Sequence, residues 1–79
     1  RLGALAERQL VRVLLKSTPE VPVYPEGESK FASDILNLQV LPLIKSMGLP
    51  HITRPYSKED AQGLMETYIA HGCEAELIS

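Results

Sequence analysis

The sequence has little of what marks a secreted, disulfide-rich or membrane protein. Cys73 is its one cysteine, so no disulfide can form within the 79 residues, and a lone thiol is typical of a reducing compartment. No apolar run approaches the roughly 18–20 residues that a membrane-spanning helix needs, and no secretory signal pattern is present. These absences predict an intracellular protein, cytoplasmic or nuclear, that does not bind a membrane.

Motifs for catalysis and cofactor binding are missing as well. There is no glycine-rich phosphate loop, nucleophile elbow or H-E-x-x-H helix. A structural zinc site usually needs four nitrogen or sulfur donors, and the chain offers three, His51, His71 and Cys73. Nothing in the pattern indicates an activated Cys73 thiol. We therefore predict no catalytic, cofactor-binding or metal-binding residues, with a fragment of an enzyme as an alternative.

The N-terminal region, residues 2–16, has apolar residues at three- and four-residue spacing, which is typical of an amphipathic helix. Arg8, Arg12 and Lys16 recur every four residues on the opposite side. Residues 10–16, LVRVLLK, are rich in branched aliphatic side chains and would also suit a strand. Because the helical spacing extends over four turns and the flanking GALAERQ favours helix, we predict a helix.

A proline-rich arm, residues 17–28, follows this segment. Pro19, Pro22 and Pro25 are three residues apart, which is the period of the polyproline II helix. A residue that precedes proline is also biased toward extended backbone angles. The pattern predicts an extended arm that crosses the surface and connects the first helix to the second.

The middle of the chain predicts two helices separated at a proline. Ser29 suits the N-cap of a helix over residues 30–40. Pro42 is expected to interrupt that helix and to open a short helix over residues 42–47. Gly48 suits the left-handed position that ends it.

The C-terminal third predicts a connector, a helix and a tail. Residues 48–56 contain two prolines and no helical period, so they form a connector or a short strand. Ser57 and Asp60 make a carboxylate variant of the capping box for a helix over residues 57–71. The tail, 72–79, alternates apolar residues with glutamate, which allows a short edge strand.

The segment SKEDAQGLMETYIAHGCEAELIS, residues 57–79, resembles the final helix and strand of the bacterial ribosomal stalk protein's C-terminal domain. The likeness covers less than a third of the chain. The glycine- and lysine-rich helix with which that family recruits factors has no counterpart here. The resemblance therefore implies local structure only, a helix followed by a strand.

These elements predict a mainly α fold over residues 1–79, either a single small domain or an excised part of a larger protein. We expect a small orthogonal bundle of three to four helices, with the extended proline-rich arm between helices 1 and 2. The alternative is an α+β fold in which short strands flank the last helix.

The predicted helices carry more apolar side chains than such a small bundle covers. This surplus predicts a non-catalytic adaptor, assembly or regulatory domain that binds another protein, or a second copy of itself, through an aliphatic helix face. The residues expected to contact that partner are Leu10, Leu14, Leu41, Ile44 and Leu49.

A nucleic-acid-associated accessory domain, bound to DNA, RNA or the ribosome, is the alternative from the charge pattern. Arg8, Arg12 and Lys16 would contact phosphates. The net charge of −2 is low for a nucleic-acid binder, and no aromatic residues are spaced for base stacking. Any such binding is expected to be non-specific and sensitive to salt.

Overall fold

A central strand organises the fold. The computed structural model describes residues 10–79, and within them two helices pack on a four-stranded antiparallel sheet. The fold is therefore α+β, and the predicted bundle of three to four helices is wrong. In chain order the elements are β1 (Leu10–Ser17), α1 (30–47), β2 (His51–Ile52), β3 (Tyr56–Ser57), α2 (Lys58–Ala70) and β4 (Glu74–Ile78).

Strand β1 replaces the described part of the predicted first helix. Residues 2–9 of that helix lie outside the described residues. Val13 and Leu15 are fully buried, whereas Arg12 and Lys16 are exposed, so burial alternates with the two-residue period of a strand. Leu14 is half-buried on the opposite face. The branched side chains of this segment thus serve both faces of a sheet, a role that their local helical spacing does not reveal.

Backbone pairing on both edges holds β1 in the centre of the sheet. Strand β4 runs antiparallel along one edge, with Leu15 opposite Ala75. Strands β2 and β3 run antiparallel along the other edge, with Leu15 opposite His51 and Val11 opposite Tyr56. Because β1 lies between β3 and β4, the β3–α2–β4 unit is a split βαβ arrangement.

Thr53 bridges the gap between β2 and β3. Its backbone N–H donates to the Val13 carbonyl at 3.0 Å, and its hydroxyl oxygen accepts from the Val13 N–H at 3.0 Å. The same hydroxyl donates to the Arg54 carbonyl at 2.9 Å. This buried side chain keeps both backbone groups of Val13 bonded where the edge strand is interrupted, close to Pro55.

Helix α1 is continuous through the proline at which a break was predicted. Its segments are α-helical over Lys30–Ile35, π-helical over Leu36–Val40 and α-helical again over Leu41–Met47. A proline ring in a regular helix clashes with the carbonyl four residues earlier, and the wider π turn lies directly before Pro42. We attribute the absence of a break to this wider turn.

Capping residues set the ends of both helices. The Ser29 hydroxyl accepts from the Ala32 N–H at 3.2 Å, and the Ser57 hydroxyl accepts from the Asp60 N–H at 3.1 Å. Gly48 follows α1 with a φ of 106°, a backbone angle that glycine adopts readily. Helix α2 is followed by β4, which is the helix and strand that the resemblance implied.

One face of the sheet carries both helices. Its core combines side chains from β1, both helices and the residue that precedes β4. Arg12, Leu14 and Lys16 project from the opposite face of β1. The buried apolar core residues are Val13, Leu15, Leu41, Ile44, Ala61, Tyr68 and Cys73.

Within residues 10–79, neither helix has the length and apolar character needed to cross a bilayer.

Candidate functional site

A buried serine–histidine pair joins α1 to the end of α2. The Ser33 hydroxyl lies 2.8 Å from His71 Nε2, and His71 Nδ1 lies 2.8 Å from the Thr67 carbonyl oxygen. A carbonyl only accepts hydrogen bonds, so Nδ1 carries a proton, and in the neutral ring Nε2 then accepts from the Ser33 hydroxyl. The pairing resembles that of a nucleophile and its base. Ser33 and His71 are only 1% and 2% exposed, so the pair has no open path to a substrate and acts as a structural link.

The contact between Ser33 and His71 was not predicted from the sequence. Ser33 lies 38 residues from His71 in the chain, and no local pattern connects the two. His71, which was considered as a zinc donor, instead has both ring nitrogens bonded within the domain. Cys73 is buried and His51 pairs with Leu15 in the sheet. In the described part of the chain, no three His, Cys, Asp or Glu side chains are placed to hold a metal.

Two buried side chains that lose a proton at high pH, Cys73 and Tyr68, make the stability of the domain depend on alkaline pH. Burial raises the pKa of the Cys73 thiol, and burial, together with the nearby Tyr56 and Cys73, raises the pKa of Tyr68. Above about pH 8.5 to 10 the unfolded chain therefore loses these protons before the folded one does. Because the folded state then binds more protons than the unfolded state, its stability falls as pH rises.

We expect the urea midpoint of unfolding to decrease between pH 8 and pH 10.5, within the range set by the ordinary pKa values of cysteine and tyrosine. Tyr68→Phe and Cys73→Ala remove the two protons, so the double variant should show a smaller decrease than the wild type. Both proteins would be measured by circular dichroism under reducing conditions. An equal decrease in the two proteins would contradict this origin.

The arm connects β1 to α1 and packs against the end of α2. The Asn37 side-chain amide, in the π turn of α1, donates to the Val23 carbonyl at 2.7 Å. At Gly72 the contact is so close that an added Cβ would lie 3.0 Å from Val23 Cγ2 and 3.1 Å from Pro19 Cβ. The extended arm is thus fixed to both helices, although the element before it is a strand and not the predicted helix.

A second set of contacts ties the arm to the first turns of α1. The Tyr24 hydroxyl donates to Asp34, and the Lys30 ammonium lies 3.3 Å from Asp34 and 5.5 Å from the centre of the Tyr24 ring. The hydrogen bond lowers the pKa of Asp34 and raises that of Tyr24. Asp34 is the only carboxylate between residues 30 and 47, so these contacts neutralise the one negative charge of α1.

The solvent side of α1 carries large apolar residues. Phe31 is 75% exposed, Leu38 is 60% exposed, and Leu43 and Met47 are each 61% exposed. We call these four residues the outer face of α1. Leu43 and Met47 are four residues apart in the α-helical segment that follows the π turn, so they lie on one side of it. A surface of this kind is typical of a contact with another molecule.

The predicted partner-binding residues are divided between the core and the surface. Leu41 and Ile44 are 5% and 6% exposed and belong to the core, so they do not present an open surface. Leu49 is half-buried beside that core. Leu10 is exposed and Leu14 is half-buried, and both lie on β1 rather than on a helix.

The predicted phosphate contacts do not form a stripe along a helix. Arg12 donates from Nη1 to the Thr53 carbonyl at 3.0 Å, and Lys16 lies 3.3 Å from a carboxylate oxygen of Glu76. Arg8 lies outside the described residues. The two described cations therefore take part in contacts within the sheet.

Comparison with protein-family models, curated proteins and solved structures finds no match to this chain. Inferences about its function therefore depend on its own side chains. Within residues 10–79, two surface features offer a place for another molecule to bind. One is the outer face of α1, and the other is a cleft of about 290 Å³ between the arm and the second half of α1.

Proposed function

We propose that this chain is a non-catalytic protein–protein interaction domain that binds its partner through the outer face of α1. The observation that supports the proposal is the exposure of Phe31, Leu38, Leu43 and Met47 on a helix whose inner side already fills the core. The proposal keeps the function expected from the sequence. It moves the contact surface from Leu41 and Ile44 to their outward-facing neighbours.

The charges around the outer face indicate what kind of partner it suits. Asp34 is occupied by Tyr24 and Lys30, and Lys45 forms no ion pair within residues 10–79. Helix α1 therefore carries its exposed apolar residues together with one cation, Lys45, that has no acidic partner among the described residues. An amphipathic segment of another protein, with acidic residues beside its apolar ones, would complement this surface in both respects.

A capture experiment with matched variants tests the proposal. The wild-type chain and the Leu43→Glu/Met47→Glu variant would be immobilised and exposed to the same cell lysate. Ile69→Glu, an equally drastic change at an exposed apolar residue of α2, is the control. We expect one or more proteins to bind to the wild type and to Ile69→Glu and to be lost from the double variant by tenfold or more, equivalent to about 1.4 kcal/mol.

A captured protein must then bind in purified form. Its affinity for the wild type, measured by calorimetry, should be at least tenfold higher than for the double variant and should decrease as salt rises. If every captured protein binds the double variant equally well, the outer face is not the interface. If instead the wild type self-associates in sedimentation and the double variant does not, the partner is a second copy of the chain and not another protein.

A further inference from the structure

The cleft between the arm and α1 has the size of a site for one small ligand. Its volume of about 290 Å³ lies at the lower limit of the roughly 300–1,000 Å³ that is usual for small-molecule sites. It has room for a small ligand of the size of a single amino acid. Its walls come from two elements, the arm on one side and α1 on the other.

Most of the cleft lining is apolar and stiff. Pro19 and Pro22 come from the arm, and Leu41 and Pro42 come from α1. Leu41 is almost fully buried, whereas Pro22 and Pro42 are exposed, so Leu41 lies deepest and the prolines form the rim. Proline side chains lose little conformational freedom when a ligand covers them. The interior therefore suits an aliphatic group.

Two opposite charges flank this apolar interior. Glu20 lines the cleft from the arm, and Lys45 lines it from α1. They form no salt bridge with each other, and neither has an ion-pair partner among residues 10–79. The cleft therefore presents an acceptor on the wall formed by the arm and a cation on the wall formed by α1, beside the apolar residues.

We propose that the cleft binds a free α-amino acid with an aliphatic side chain, such as leucine. The ligand's ammonium would lie at Glu20, its carboxylate at Lys45, and its side chain over Leu41 and the prolines. A free amino acid carries both charges next to its side chain, which matches the three parts of the cleft. The cleft contains none of the four apolar residues of the outer face of α1, and Lys45 is the one residue that both proposals use, so leucine binding and protein capture can still fail independently.

A titration with four related compounds tests the ligand assignment. The ¹⁵N-labelled wild-type chain would be titrated with leucine, N-acetylleucine, leucinamide and glycine, and backbone amide shifts would be recorded by NMR. Because both charge contacts are at the surface, we expect a dissociation constant for leucine in the millimolar range. Leucine should shift the amides of residues 18–22 and 37–45. N-acetylleucine, which lacks the ammonium, and leucinamide, which lacks the carboxylate, should each bind about two- to fivefold more weakly.

Two protein variants test whether Lys45 contacts the ligand's carboxylate and Glu20 contacts its ammonium. Lys45→Met keeps most of the side-chain length without the charge, so it should abolish the preference for leucine over leucinamide. Glu20→Gln should abolish the preference for leucine over N-acetylleucine. Glycine should cause no saturable shifts, because it lacks the aliphatic group. Both residues are exposed, so both variants should retain the wild-type spectrum elsewhere.

Three results would overturn the assignment. The first is the absence of saturable shifts with leucine up to roughly 20 mM, well above the affinity expected for a surface site of this kind. The second is equal affinity for leucine and both of its single-charge analogues. The third is shifts that map to α2 or to the far face of the sheet instead of the cleft. None of these results affects capture of a protein by the outer face of α1.

Discussion

Leu15→Ala is expected to lower the free energy of unfolding by about 2–5 kcal/mol, the range for removing a fully buried leucine side chain. Leu15 is completely buried in the face of β1 that packs against both helices. Truncation leaves a cavity whose walls come from a strand and two helices, and these elements cannot all move inward to fill it. A domain of this size has a total stability of only about 4–12 kcal/mol, so the loss is a large fraction of the total.

Leu14→Ala is the matched control for Leu15→Ala. Leu14 is the same residue type one position earlier, half-buried on the opposite face of β1, and we expect its truncation to cost less than half as much. Urea denaturation of both variants, followed by circular dichroism, measures the difference. The helix predicted from the sequence placed Leu10 and Leu14 on its apolar side. A larger loss at Leu14 than at Leu15 would therefore favour that helix over the strand.

His71→Ala is expected to destabilise the domain by about 2–4 kcal/mol, because it removes a buried ring and leaves buried polar groups unpaired. The His71 ring fills the space between α1 and the end of α2 and bonds to Ser33 and Thr67. Its loss leaves the Ser33 hydroxyl without its partner in the interior. The effect should appear in thermal and urea denaturation alike.

A double-mutant cycle separates the hydrogen bond from the packing of the ring. Ser33→Ala leaves His71 Nε2 unpaired and should cost about 1–3 kcal/mol. The combination of Ser33→Ala with His71→Ala should cost less than the sum of the single changes, because each single variant leaves one unpaired group. Gln62→Ala, at an exposed position of α2, is the control for general helix effects. Strict additivity would show that the two side chains do not depend on each other.

The outward and inward faces of α1 could not be assigned from sequence because of the π turn. A regular helix advances 100° per residue, and the wider turn over Leu36–Val40 changes the phase of everything that follows it. In the α-helical segment after that turn, Leu41 and Ile44, three residues apart, lie in the core, and Leu43 between them is exposed. The expectation of an apolar surface on this part of the chain remains, with other residues forming it.

The sequence by itself determined where the two helices begin and end, through residues that act on the backbone close to them. Ser29 and Ser57 cap the two helices through their own hydroxyl groups. Gly48 and Gly72 adopt the positive φ angles that follow each helix. These features depend on residues within one or two turns of each other, so a pattern in the sequence is enough to predict them.

Only the tertiary structure decided the conformation of residues 10–17 and the Ser33–His71 link. The strand depends on hydrogen bonds to residues 51–57 and 74–78, which pair with both edges of β1. The segment LVRVLLKS alternates as a strand does, and the residues around it are spaced as in a helix, so the sequence alone permits either conformation. Pairing with two distant segments favours the strand. Interactions between residues 38 or more positions apart leave no signal in the local spacing, which is why the sequence pattern alone predicted a helix.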